Sequence, residues 1–208
     1  FVYTTKPKNK ENFRLLLAFS GAFLLAVTVF ELLPTVYKYT EAKHIGVFIM
    51  LGILLQIFLE FFSKGAEHGH VHLDAENTDF PWLLFLSLSI HSFLEGFPIE
   101  SNDHMIFGVL IHKIPIAIIL SIFLLESKIK FNKAVLFIAL FAIMTPLGSI
   151  TSTLFDMTSQ IYVAITALVI GVFFHISTVI LFESSEGHKF NLVKLLVIII
   201  GITIAYFL

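Results

Sequence analysis

Residues 81–125 read PWLLFLSLSIHSFLEGFPIESNDHMIFGVLIHKIPIAIILSIFLL. Two apolar runs, Pro81–Ile99 and Met105–Leu125, are separated by the short polar link Glu100–His104. Apolar stretches of about 17–25 residues match the thickness of a bilayer core when coiled as helix. Apolar positions run all round both stretches rather than along one stripe, as in helices that share their contacts between protein and lipid. A transmembrane β-barrel needs alternating segments of about ten residues, and none is present. The segment therefore predicts a hairpin of two membrane-spanning helices.

The same reading extends outward to five more spans: Leu15–Val36, Ile45–Ser63, Ala134–Leu154, Ile161–Phe182 and Leu192–Leu208, the last being the shortest. Composition agrees. Of 208 residues, 57% are hydrophobic, 24 are Phe and only 13% are charged, about half the charge of a soluble domain, and the mean hydropathy is +0.93. The expected fold is an all-α polytopic membrane bundle of seven spans. The short connections predict one transmembrane domain over 1–208, with antiparallel neighbouring helices. With 13 Lys+Arg against 15 Asp+Glu, nothing points to nucleic acid. The absence of cysteine excludes disulfides, thiolate metal sites and cysteine nucleophiles.

Loop cations predict the orientation. With the N-terminus in the cytoplasm, inner loops carry Lys6, Lys8, Lys10, Arg14, Lys64, Lys128, Lys130, Lys133, Lys189 and Lys194, and outer loops carry only Lys38 and Lys43. The positive-inside rule favours that assignment and leaves the C-terminus outside, as expected of an integral protein of the cell (inner) membrane. The longest polar loop, 64–79, is then cytoplasmic and holds His68, His70 and His72.

Ionisable groups at membrane depth cost about 2.5–3.5 kcal/mol each on insertion scales, so each calls for a reason. His91 and Glu95 are four apart and share one helix face. His91 precedes Ile99 by eight residues and His112 follows Met105 by seven, placing both roughly 11–12 Å below the outer surface at 1.5 Å per residue. Two imidazoles and a carboxylate at one depth suit Zn²⁺, or Fe²⁺, Mn²⁺ or Co²⁺, with positions left for water. Pro115 is expected to bend its helix, and Pro98 to bend or close its own. The competing reading is a static set of helix–helix hydrogen bonds.

Other polar residues leave alternatives open. Lys113 follows His112, and Glu95 is its nearest counter-ion; a fixed ammonium there would occupy the place of a second cation, unless it snorkels. His175, roughly 21 Å from the outer face, either lines an exit path or bonds a neighbouring helix. Glu31, just before Pro34, is an entry ligand or an interfacial carboxylate. Glu60 and Glu183 read as solvated helix ends. His68, His70 and His72 bind metal weakly as flexible imidazoles, or are simply a solvated loop.

These residues resemble the ZIP (Zrt/Irt-like) metal transporters. His91-Ser92-Phe93-Leu94-Glu95-Gly96 is similar to the family's His-Asn-x-x-Glu-Gly, and His112-Lys113-Ile114-Pro115-Ile116 to its His-Asn/Asp/Glu-Ile-Pro-Glu. Phe30-Glu31-Leu32-Leu33-Pro34 resembles a segment ending in Leu-Leu-Pro, with Glu31 where a His often stands. Thr145-Pro146-Leu147-Gly148 resembles the Pro-Leu/Ile-Gly motif. The family has eight spans with both ends outside, which seven spans starting inside would match if one span precedes Phe1. The resemblance implies uptake of a divalent metal, zinc first, toward the cytoplasm without ATP. It also implies homodimers, for which no face can be pointed to in the sequence.

Two metals are common in the family, bridged in part by a glutamate whose position here is Ile116. The neighbouring second-site positions read Ser92, Lys113 and Thr145. The resemblance thus implies one site, His91, Glu95 and His112, with Lys113 standing for the second ion. Three further readings compete. A non-transporting metal-sensing relative fits the lost ligands. An intramembrane zinc hydrolase would need His175 level with His91 and His112, and the chain lacks H-E-x-x-H. A haem-binding bundle would have Glu95 and Lys113 as poor neighbours.

Overall fold

The computed structural model describes residues 10–63, 65–66, 80–100, 103–156, 158–183 and 192–208. Among them seven helices stand where the seven apolar runs predict. They are α1 (Lys10–Val27, continued by a π turn at Thr28–Leu32 and by Leu33–Val36), α2 (Ala42–Ser63) and α3 (Trp82–Gly96, closed by a 3₁₀ turn at Phe97–Ile99). After these come α4 (Asp103–Glu126), α5 (Phe131–Ser152), α6 (Gln160–Glu183) and α7 (Leu192–Tyr206). Six are long and apolar enough to cross a bilayer, and the seventh is a shorter apolar helix. Pro98 closes α3. Pro115 lies inside α4, which continues through it as one helix.

The π turn has a local cause. Pro34 has no N–H to return to the fourth carbonyl before it. The Leu33 amide reaches back five residues to the Thr28 carbonyl, and the Thr35 hydroxyl donates to the Glu31 carbonyl at 2.8 Å.

The helices that pack most closely are not neighbours in sequence: the closest pairs are α2 with α6, α3 with α5 and α1 with α7. Gly52 of α2 sits against Leu168 and Gly171 of α6, and further along both helices Glu60 meets His175, so this pair runs parallel. Gly96 of α3 sits against Thr145 and Ser149 of α5, and Gly148 sits against Phe93; Ser92, one turn earlier, meets Phe141 and Thr145, so this pair is parallel too. A methyl group on Gly52, Gly96, Gly148 or Gly171 would collide with facing backbone. Apolar burial gives little drive between helices in lipid, so such small-residue crossings carry the association.

Helix α1 is the hub, packed on α4, α6 and α7. Its Ala18, Ala22, Phe23, Leu24 and Val27 are fully enclosed. The outward residues of α2, such as Leu54, Phe58 and Phe61, are exposed, as expected of a surface made for lipid.

Candidate metal centre

The α3–α5 crossing fixes the frame of the polar cluster. At that crossing the Thr145 hydroxyl donates to the Ser92 backbone carbonyl at 2.9 Å. The Ser92 hydroxyl oxygen lies 3.0 Å from the Thr145 hydroxyl and 3.4 Å from the Phe141 carbonyl, to which it donates. Residues one position before and three after Ser92, namely His91 and Glu95, then face α4.

His91 Nε2 lies 3.0 Å from Glu95 Oε1, and His112 Nε2, from α4, lies 3.6 Å from the same oxygen. The imidazole rings stand nearly perpendicular, with centroids 6.2 Å apart. All three residues are essentially sealed from solvent, at 1%, 0% and 0% exposure. One donor atom from each lies within 4.8 Å of the others, the one group of three or more such donors among the described residues. Two metal–ligand bonds of about 2.1 Å at a tetrahedral angle put donors about 3.4 Å apart. The observed 3.0 and 3.6 Å bracket that value, so a small divalent ion fits with minor side-chain movement.

The other carboxylate oxygen is engaged differently. Lys113 Nζ lies 2.8 Å from Glu95 Oε2, donates to the Ser92 hydroxyl at 2.5 Å, and stands 4.6 Å from the centroid of the Phe141 ring. Each hydroxyl has one proton. Ser92 therefore accepts from Lys113 and gives its proton to the Phe141 carbonyl, while Thr145 gives its own to the Ser92 backbone carbonyl. Lys113 does not reach for either surface; its charge is matched inside the bundle by Glu95 and by the ring face.

The remaining sequence candidates fall elsewhere. Ile116 is buried, 2% exposed, in an aliphatic cluster with Leu120 and Phe137, and offers no oxygen. Glu31 sits half-buried in the π turn of α1 and is outside the donor group. His175 is not in the group either; it meets Glu60 of α2 at 2.6 Å. That corrects the reading of Glu60 as a solvated helix end. His68, His70 and His72 lie outside the described residues. Phe141 was missed altogether, since a phenylalanine among 24 carries no signal of a cation partner.

Residues 67–208 match the family model described as ZIP Zinc transporter. The chain belongs to the ZIP zinc transporter family. It is 40% identical to zinc transporter ZIP1 of Danio rerio over 93 residues, 41% of this chain and 30% of that protein. It is 28% identical to protein zntD of Dictyostelium discoideum over 162 residues, 66% of this chain and 24% of that protein. Against zinc transporter ZIP1 of Takifugu rubripes it is 34% identical over 87 residues, 39% of this chain and 29% of that protein. The matches thus span under a third of each relative's length. Membership in a family of transporters rather than enzymes displaces the hydrolase reading, and the apolar helices of this ZIP chain make it an integral membrane protein.

Proposed function

We propose that this ZIP chain moves one divalent metal ion at a time, zinc first, through a site made by His91, Glu95 and His112, toward the side of the membrane that carries the loop lysines. The observation that carries this reading is the divided carboxylate: Glu95 Oε1 faces two imidazoles and Oε2 faces the Lys113 ammonium. A second cation at Oε2 would have to displace a like charge.

The metal preference follows the ligand chemistry. Two imidazoles and one carboxylate are borderline ligands that suit Zn²⁺ and its neighbours over Ca²⁺ or Mg²⁺. Two of the relatives are named as zinc transporters. Three protein ligands leave room for water, and a positive ammonium close to the ion weakens its hold; both favour release over storage. Binding expels protons from the ligands, and passage requires the helices around the sealed site to open on alternate sides.

A second reading, a metal sensor that does not transport, is favoured by Ile116, which puts an alkyl group where the resemblance expects a bridging carboxylate. Radiometal uptake into proteoliposomes decides between them, comparing wild type with His91→Ala and His112→Ala for Zn²⁺, Fe²⁺, Mn²⁺ and Cd²⁺. Uptake of Zn²⁺ that disappears in both variants supports the transporter. Tight Zn²⁺ binding with no uptake supports the sensor.

A further inference from the structure

Outside the central cluster, one pair of metal-ligating side chains converges from two helices. His175 Nε2 of α6 lies 2.6 Å from Glu60 Oε2 of α2. The α2–α6 contact is fixed by Gly52 and Gly171, which bring the backbones too close to admit a methyl group. Glu60 lies two turns beyond Gly52 and His175 one turn beyond Gly171, so the crossing holds both donors in register. Glu60 is three residues before the end of α2, about 4.5 Å along the axis. Glu60 is thus near the end of its helix, while His175 lies eight residues before the end of α6, and the pair is partly open: the His175 and Glu60 side chains are 15% and 24% exposed, against 0–1% for the central three.

We infer that Glu60 and His175 form a second divalent-metal site at the α2–α6 seam, separate from His91, Glu95 and His112. The donors are one imidazole nitrogen and one carboxylate oxygen, the chemistry that takes Zn²⁺ and similar ions. Gln56 lies one turn before Glu60 on the same side of α2 and is fully enclosed; its amide is the candidate third donor. To admit an ion the N–O separation opens from 2.6 Å to about 3.4 Å, within the reach of side-chain rotation, and the imidazole carries its proton on Nδ1.

The two sites share no ligand. Leu94, beside Glu95, and Ile176, beside His175, meet in one aliphatic cluster with Leu17, Ile119 and Val172, so the sites are joined through apolar packing. Few protein donors, partial exposure and a carboxylate near the end of α2 describe a weak, rapidly exchanging station. Its role as a stop on the transport route rests on the function proposed above; its binding of metal does not.

The test uses the full chain with His68, His70 and His72 changed to Ala and the central site removed by His91→Ala. Radioactive zinc bound at equilibrium dialysis is read together with the zinc-induced rise in unfolding temperature. The expected result is about one zinc per chain, weakened at least tenfold by His175→Ala and by Glu60→Gln, with the rise in unfolding temperature lost in parallel. His175→Gln, which keeps a hydrogen bond to Glu60, serves if His175→Ala does not fold. Absence of bound zinc in the parent variant overturns the inference, as does zinc binding that neither substitution changes. Loss of uptake by the wild type with this binding intact would remove the transport reading and leave the site standing.

Discussion

Lys113 Nζ stands 2.8 Å from Glu95 Oε2, at the depth where the opposite carboxylate oxygen meets two histidines. The charges of the cluster are then balanced among its own side chains: one carboxylate, one ammonium and imidazoles able to be neutral. On the function proposed above, a divalent ion would enter a site that is already neutral, its own charge left uncompensated, so the pairing would trade affinity for ease of release.

Replacing Lys113 by Met removes that opposition. Zinc should bind at least tenfold more tightly and turn over more slowly, so KM and kcat for uptake fall together. Without zinc the variant should lose about 3–5 kcal/mol, the usual cost of breaking a buried pair from one side, and regain much of it with zinc. Unfolding temperatures with and without zinc, beside uptake kinetics, check both halves; unchanged kinetics would remove Lys113 from the account.

Glu95→Gln should abolish uptake and destabilise the fold, because the Lys113 ammonium is left without its carboxylate. Adding Lys113→Met should recover stability but not uptake. A double-mutant cycle on unfolding free energy measures the coupling, expected at about 0.5–3 kcal/mol for residues in contact. Additive effects would mean that the two charges do not sense one another.

Restoring carboxylates should restore a second ion. Lys113→Asp with Ile116→Glu supplies oxygens beside Glu95 Oε2, and bound zinc at the central cluster should rise from one to two per chain. Equilibrium dialysis with the loop histidines and His175 replaced counts it. A count that stays at one would show that more than Lys113 and Ile116 limits the site.

Glycines at the crossings should be far less tolerant than a glycine in the open. Gly96→Ala or Gly148→Ala forces α3 away from α5 and should cost at least the roughly 1–3 kcal/mol of an overpacked core, with uptake reduced because Ser92 and Thr145 separate. A methyl group on Gly46 would meet nothing within 4 Å, so Gly46→Ala should gain up to about 1 kcal/mol from helix propensity. Thermal unfolding of the three variants in one detergent makes the comparison.

The spans and the central donors were legible in the sequence for a simple reason: both depend on local spacing. Apolar length marks each helix, and the four-residue step from His91 to Glu95 puts both on one face. The Lys113–Glu95 pairing was also legible, since an ammonium at mid-span has few partners. Helix partnership was not. The α2–α6 and α3–α5 contacts join glycines far apart in the chain, and a glycine in an apolar run gives no sign of what it faces. Glu60 looked like a solvated end because its partner, His175, is 115 residues away. The π turn at Thr28–Leu32 arises from Pro34 together with backbone bonds that residue order alone does not specify.

The most direct test of a single-ion site is anomalous scattering at the zinc edge from crystals of the zinc-loaded protein. The account predicts one central peak, bonded to His91 Nε2, His112 Nε2 and Glu95 Oε1, with Lys113 still on Oε2. Two central peaks sharing Glu95, with Lys113 turned away, would contradict it.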